Sequence, residues 1–188
     1  MLDTRSPSSE NGDRYIYDPA DPVRTLGGMG PCDQQQVEKR NDVLVYTTSP
    51  LVEDTEVTGP INAIIYASSS ALNTDFTAKL VDVYPDGRAI RICEGIIRTD
   101  HRDPSLLPSN IEPGKIYNYT IDLWATSNLY MKGHQIRVEI SSSNFPRFDR
   151  NLNTGNYFAT DTTTIKAEQT IYHSTQYPSH IILPVISR

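Results

Sequence analysis

The sequence predicts an all-β protein, most simply a jelly-roll β-sandwich with an irregular N-terminal arm. Three observations support this. About eight short segments rich in Val, Ile, Thr and Tyr follow one another from Asp42 onward. Turn-forming residues separate these segments, and no convincing amphipathic helix interrupts them. A chain of 188 residues fits one domain and is long enough to bury a hydrophobic core.

The first 41 residues differ from the rest in composition and in hydrophobic pattern. They are rich in Asp, Ser, Pro, Gly, Gln and Arg and show no sustained periodicity. The stretch YDPADPVRTLGGMGP contains several X-Pro pairs, which push the residue before each proline into extended conformations. We therefore expect residues 1–41 to be an irregular arm that packs on the sandwich or on another domain. The sandwich itself is expected over residues 42–188.

The remaining elements are predicted strands. The segments are DVLVYT, INAIIYASSS, DFTAKLVDVY, RAIRICEGIIRT, KIYNYTIDLW, HQIRVEISSS, TIKAEQTIYHS and SHIILPVI. Alternation is clearest where Ile136, Val138 and Ile140 face one side of a strand and the intervening polar residues face the other. Gly-Pro, Pro-Asp-Gly, Pro-Gly and Lys-Gly sequences between the segments supply the backbone angles that turns need.

Composition excludes several partners. The net charge of −6 and the pI of about 5.1 oppose binding to a phosphate backbone, so no nucleic-acid partner is expected. No apolar run approaches the roughly 20 residues that span a bilayer, so no membrane partner is expected. The start of the chain lacks a signal-peptide pattern, which predicts a cytoplasmic protein. Cys32 and Cys93 are expected to be reduced, with a single disulfide as the alternative.

Motifs that carry chemistry are sparse. The sequence lacks the G-x-S-x-G pentapeptide of α/β-hydrolases, zinc-ligand spacings and a D-x-D-x-D-G calcium loop. No catalytic residue, metal or cofactor is therefore assigned to this chain. The histidines are expected at the surface or on edge strands; they are His101, His134, His173 and His180.

One loop concentrates chemistry-bearing residues, namely SSSNFPRFDRNLNTG at positions 141–155. Alternation ends at Ser143, and Pro146 then removes an amide donor and forces the chain away from the strand ladder. The structural motif that we predict consists of Asn144, Phe145, Arg147, Asp149, Arg150 and Asn153. The two arginines could clamp an anion. Alternatively, Asp149 neutralises an arginine and the loop is a hydrogen-bonded corner that fastens a strand, which we favour because buried charges are usually paired.

Two blocks carry a resemblance to a known family. They are DVLVYTTSPLVEDTEVTGPINAIIYASSSALNTDFTAKLVDVYPDGRAI and ISSSNFPRFDRNLNTG, and the terminal YPSHIILPVI and the upstream YIYDPADPVRTLGG agree with them. From about residue 14 to residue 188 the chain resembles the C-terminal domain of a family of serine hydrolases. That family holds the bacterial cocaine esterases, the X-prolyl dipeptidyl aminopeptidases and the α-amino-acid ester hydrolases.

The resemblance implies a galactose-binding-like jelly roll that accompanies an α/β-hydrolase catalytic domain in the same chain. The catalytic serine, aspartate and histidine of the family precede this domain, so none maps onto residues 1–188. The implied role is to stabilise the catalytic domain of an X-prolyl dipeptidyl peptidase or acyl ester hydrolase and to help wall its substrate pocket. By the same resemblance, the pocket wall would include Leu26, Gly28 and Met29.

Two other functions remain open at the level of sequence. One is a stand-alone jelly-roll module that binds carbohydrate or protein, suggested by 11 tyrosines and Trp124. Most of these rings, including that of Trp124, are expected to be packing residues because they lie on or at the end of apolar strands. The other is an interaction domain that forms a homo-oligomer through an apolar face.

Overall fold

A computed structural model of the chain describes residues 1–5, 7, 11–28, 30–157 and 160–186. The strands are β1 (Asp13–Tyr17), β2 (Leu44–Thr47), β3 (Thr55–Ser69), β4 (Asp75–Val83), β5 (Ala89–Arg98), β6 (Tyr117–Tyr130), β7 (Gln135–Ser141), β8 (Ala167–Tyr172) and β9 (His180–Ile182). One short 3₁₀ turn, Thr99–His101, follows β5. Each segment that the sequence predicted as a strand overlaps one of these strands. Within the described ranges, no helix is long and apolar enough to cross a membrane.

The strands form two antiparallel sheets with jelly-roll order. The first sheet runs β1-β8-β3-β6, with β9 also paired to β3, and the second runs β2-β7-β4-β5. Consecutive strands thus alternate between the sheets up to β4, and the first strand lies beside the eighth. This confirms the all-β sandwich that the alternating pattern predicted.

The core lies between the two sheets and follows from side-chain alternation. On β6, Tyr119, Ile121 and Leu123 are fully buried, whereas the residues between them are exposed. The ring of Phe76 on β4 packs against that of Tyr119 with a centroid separation of 5.3 Å. On β7, Ile136, Val138 and Ile140 join the same core cluster, as predicted.

The described residues of the N-terminal 41 include one regular strand, β1, where the sequence predicted an irregular arm. Tyr15 and Tyr17 alternate into the core, and β1 forms a ladder with β8 from Asp13↔Ile171 to Tyr17↔Ala167. After β1 the chain is largely turns and single bridges, such as Asp33↔Ile90. This part of the arm lies over the outer face of the second sheet, and every residue of the central strand β4 is therefore buried.

The burial of two side chains, His134 and Trp124, differs from what the sequence predicted. His134, expected at the surface or on an edge strand, is buried because the turn before β7 places its ring against Asp82 and Tyr84. Trp124, expected to pack, is 74% exposed. Its backbone has a φ of 68°, which directs the chain out of the regular pleat of β6.

Candidate functional site

The loop at 141–155 hydrogen-bonds to the arm along its length. The Phe145 amide donates to the Val23 carbonyl at 2.9 Å, and the Thr25 amide donates to the Phe145 carbonyl at 2.7 Å. The Thr25 hydroxyl also donates to the Asn144 carbonyl at 2.9 Å. These bonds form a short parallel bridge between the arm and the loop. The loop therefore attaches residues 23–25 to the end of β7.

The two arginines of the loop have separate partners. Arg147 forms an ion pair with Glu94 of β5, with Nε at 2.6 Å from Oε1, although the angle is not that of a hydrogen bond. Arg150 donates to the Pro19 carbonyl at 2.9 Å. Asp149 is exposed. These contacts attach the loop to β5 and to the arm.

Glu94 lies at the centre of a buried polar cluster on the outer face of the second sheet. Its Oε2 accepts from Asn144 Nδ2 at 2.8 Å and from Arg91 Nη1 at 2.9 Å. Arg91 is only 2% exposed. Two arginines and an amide thus surround one carboxylate, which compensates the cost of burying its charge.

Arg91 also holds the glycine-rich loop of the arm. Its Nη2 donates to the Gly28 carbonyl at 2.7 Å and to the Gly30 carbonyl at 2.5 Å. Both acceptors belong to the same tight turn, in which Gly27 and Gly28 have positive φ. One buried guanidinium therefore links this turn to Glu94, and through Glu94 to the loop at 141–155.

The predicted pocket-wall residues lie in and beside this turn. Leu26 is half-buried and packs against a small apolar cluster of Val23, Val37 and Val43. Gly28 is exposed, apart from its carbonyl contact with Arg91. Met29 falls outside the described residues. Gly27, Gly28 and Gly30 thus lie at the surface, above the buried Arg91.

A second buried charge pair lies on the same outer face. Lys79 on β4 contacts Glu139 on β7 at 3.2 Å and donates to Gln34 of the arm at 2.9 Å. Arg137 pairs with Glu38 of the arm at 2.7 Å. Burial, partly offset by Lys79 and reinforced by Glu38, raises the pKa of Glu139 to about 7.

Asparagines tie the loop at 141–155 to the neighbouring loops. Asn151 donates to Asp75 Oδ1 at 2.8 Å, and Arg98 also pairs with Asp75, at 2.9 Å. Burial raises the pKa of Asp75 even so. Asn153 adopts a φ of 67° and donates to the Ile165 carbonyl at 2.7 Å. Asparagine tolerates this left-handed conformation better than most residues.

Three histidines have an aspartate partner. His134 Nδ1 lies 2.8 Å from Asp82, and His173 Nε2 lies 3.0 Å from Asp13. His101 pairs with its neighbour Asp100. A serine hydroxyl bonded to the second ring nitrogen would complete a triad. The described part of the chain has no such bond at His134 or His101, and it has no group of three or more His, Cys, Asp or Glu that could hold a metal.

Sequence reasoning identified the loop at 141–155 but missed Arg91 and Glu94. A signal was present, because RICEG places two charged residues inside an otherwise apolar strand. Both cysteines are free thiols, and burial raises the pKa of the Cys93 thiol to about 12.

The sequence is similar to a known domain family and to several known proteins. Residues 2–182 match a family model described as the X-Pro dipeptidyl-peptidase C-terminal non-catalytic domain. The cocaine esterase of Rhodococcus sp. (strain MB1 Bresler) is 48% identical over 197 residues, which covers 100% of this chain and 34% of that protein. A putative serine esterase of Mycobacterium bovis is 29% identical over 169 residues, covering 76% of this chain and 27% of that protein.

Solved structures agree with these matches. An aminopeptidase from a marine sediment archaeon, Thaumarchaeota archaeon, has a TM-score of 0.89 at 30% identity. An α-amino acid ester hydrolase has a TM-score of 0.89 at 28% identity. In both, the match covers 97% of this chain and 34% of the other. The chain therefore spans about a third of the length of these relatives.

Proposed function

Because the chain belongs to the family of X-Pro dipeptidyl-peptidase C-terminal non-catalytic domains, we propose that it serves a serine hydrolase of the α/β-hydrolase type. In this role it stabilises the catalytic domain of an acyl ester hydrolase or X-prolyl dipeptidyl peptidase and walls part of the substrate pocket. The reaction would proceed through an acyl-enzyme formed on a serine of the catalytic domain. The 48% identity to a cocaine esterase favours ester substrates.

The observation that carries the proposal is the attachment of the surface turn at Gly28 and Gly30 to Arg91. A buried arginine bonded to two of its carbonyls holds this surface turn in place. Binding and catalytic sites are often loops held by a rigid scaffold. Arg91, Glu94 and Arg147 supply such a scaffold beneath Leu26 and Gly28. A pocket wall must keep its shape while substrates exchange, and this attachment would provide that.

The test is a domain replacement. In the Rhodococcus cocaine esterase, this chain replaces the homologous third, and a matched variant lacks that third altogether. We expect the chimera to hydrolyse aryl esters and to inactivate at a higher temperature than the shortened variant. We expect the isolated chain to hydrolyse neither aryl esters nor X-Pro anilides.

Two results would contradict the proposal. One is steady turnover by the isolated chain that a serine-directed inhibitor abolishes. The other is a chimera that inactivates at the same temperature as the shortened variant, since a supporting domain must change the stability of what it supports.

Two further properties belong to the proposal. We expect a cytoplasmic location, supported by the two free thiols. We also keep self-association of the domain as a hypothesis, supported by its exposed apolar side chains. Light scattering of the isolated chain across a range of concentrations tests the second of these.

A further inference from the structure

Trp124 is the single tryptophan of the chain, and it is exposed. By contrast, the preceding residue, Leu123, is completely buried. A large indole ring left in water is unusual, because burying it would remove an extensive apolar surface from solvent. Tryptophan is also among the residues most enriched at the energetic centres of protein interfaces.

A bulge in β6 holds the ring in this position. Asn62 of β3 pairs with Asp122, whereas Pro60 pairs with Ala125, so one residue of β3 faces two residues of β6. Trp124 occupies the bulge with a φ of 68°, and its amide donates to Asp122 Oδ1 at 2.8 Å. This conformation is unfavourable for a bulky side chain, and glycine would adopt it without strain. Strained residues of this kind concentrate at functional sites.

Other exposed apolar side chains lie on the strands around Trp124. Leu129 of β6 is 45% exposed, and Ile182 of β9 is 49% exposed. Ile186 is 43% exposed, and its amide donates to the carbonyl of Glu56, the residue that pairs with Leu129. We call this surface the Trp124 face and define it by Trp124, Leu129, Ile182 and Ile186. The arm covers the outer face of the second sheet but leaves these side chains of the first sheet exposed.

We propose that the Trp124 face docks onto the catalytic domain of the hydrolase, an inference that rests on the proposed function. A second copy of this chain is a poorer occupant. In a two-fold dimer the same patch meets itself, and the border of this patch is acidic. Of the described residues there, the exposed acids are Glu53, Asp54 and Asp122, and Lys132 is an exposed cation. Self-pairing would bring these carboxylates together, whereas a different surface can complement them.

Hydroxyl-radical footprinting read by mass spectrometry tests the location. The isolated chain is compared with the chimeric cocaine esterase described above, at equal radical dose. We expect oxidation of Trp124 to fall severalfold in the chimera, together with that of Leu129. Leu107, 89% exposed at the opposite end of the sandwich, is the internal reference.

The outcomes separate this inference from the proposed function. A stable, active chimera with Trp124 still oxidised at the isolated-chain rate would overturn the docking surface while the proposed function stands. A chimera no more stable than the shortened esterase would overturn both. Protection of Trp124 in the isolated chain that increases with its concentration would identify a second copy as the occupant and would also overturn the inference.

Substitution gives an independent test with opposite signs. Trp124→Gly relieves the backbone strain, so the unfolding midpoint of the isolated chain should rise by about 2–4 °C. The same change in the chimera should lower its inactivation midpoint, because the docking contact is lost. A residue that mattered only to folding would shift both midpoints in the same direction. Leu107→Ala, the matched control, should leave both unchanged.

Discussion

Arg91 and Glu94 lie three residues apart on β5 and yet face the same side of the sheet, joined at 2.9 Å. In a regular strand, residues three apart point to opposite faces. The exception arises from a bulge, because Leu80 of β4 pairs with Cys93 whereas Val81 pairs with Arg91, which leaves Ile92 as an extra residue. The bulge thus creates the ion pair that supports the glycine-rich turn.

Removing the guanidinium of Arg91 should lower the stability of the fold. Arg91→Met leaves Glu94 buried with one fewer charge partner and frees the carbonyls of Gly28 and Gly30. We expect the free energy of unfolding to fall by about 3–5 kcal/mol. Urea denaturation measures this, and hydrogen exchange should rise in the segment around residues 25–31.

Arg88→Met is the matched control for this variant. Arg88 pairs with Asp86, but both side chains are more than half exposed. We expect this control to lose at most about 1 kcal/mol. Equal losses in the two variants would show that the buried cluster has no special importance.

The pH dependence of stability should contain a contribution from Glu139. The pKa of Glu139 is about 7 in the folded chain against an ordinary 4.5, so the folded state binds this proton more tightly than the unfolded state. Its stabilisation is complete below pH 4.5 and is lost as the pH rises to about 7. The slope is at most about 1.4 kcal/mol per pH unit. Glu139→Gln should remove this component from urea midpoints measured between about pH 5 and pH 8.

Glu168→Gln provides the comparison, since Glu168 is exposed and pairs with Arg14 at 3.5 Å. This control should keep the wild-type slope. If Glu139→Gln keeps it as well, Glu139 is not the group that titrates.

Gly95 of β5 lies close to the backbone of β6, which belongs to the other sheet. A Cβ built on Gly95 would lie 2.0 Å from the Asp122 carbonyl oxygen, a backbone atom that cannot rotate away. Gly95→Ala should therefore separate β5 from β6 and cost about 3 kcal/mol or more. Thermal unfolding measures this loss.

Gly30→Ala is the control for Gly95→Ala. A Cβ on Gly30 meets no atom within 4 Å, and its φ is not in the left-handed region. The expected change is within about 0.5 kcal/mol. A Gly95 variant as stable as this control would disprove the close approach.

Asn144 can be tested with a substitution of almost the same shape. Asn144→Asp replaces the amide that donates to Glu94 by a second carboxylate, at a position only 1% exposed. We expect a loss of about 2 kcal/mol or more near neutral pH. Part of this loss should be regained in acid, because a protonated aspartic acid can donate to Glu94.

The exposed Asn118 on β6 supplies the reference variant, Asn118→Asp. It introduces the same charge without burying it. Stability curves against pH that coincide for the two variants would argue against the buried role of Asn144.

Local pattern predicted much of the fold, and the missing parts depend on distant contacts. The strands from β2 to β9 were predictable because alternation and turn residues are local signals. β1 was not, because only Tyr15 and Tyr17 alternate there and prolines follow closely. The outward direction of Glu139 was predictable from its neighbours, but its burial was not, since the arm that covers it comes from about 100 residues earlier in the sequence.

The candidate site was predictable to a similar degree. The loop at 141–155 stood out by composition, and its residue types predicted a fastening corner in preference to an anion clamp. Its partner Glu94 could not be identified, because that requires the register of β5 and its bulge. The exposure of Trp124 likewise depends on a slip between β3 and β6 that no short sequence pattern indicates.

The pairing of β1 with β8 also constrains how this domain acquires its structure during synthesis. Arg14 and its partner Glu168 are separated by 154 residues. At a translation rate of about 5–20 residues per second, β8 is synthesised on the order of ten seconds after β1. Throughout that interval Tyr15 and Tyr17 have no ladder to join. The nascent chain therefore carries an unpaired strand until almost all of the sandwich has been translated, and in this period chaperones have the greatest opportunity to bind it.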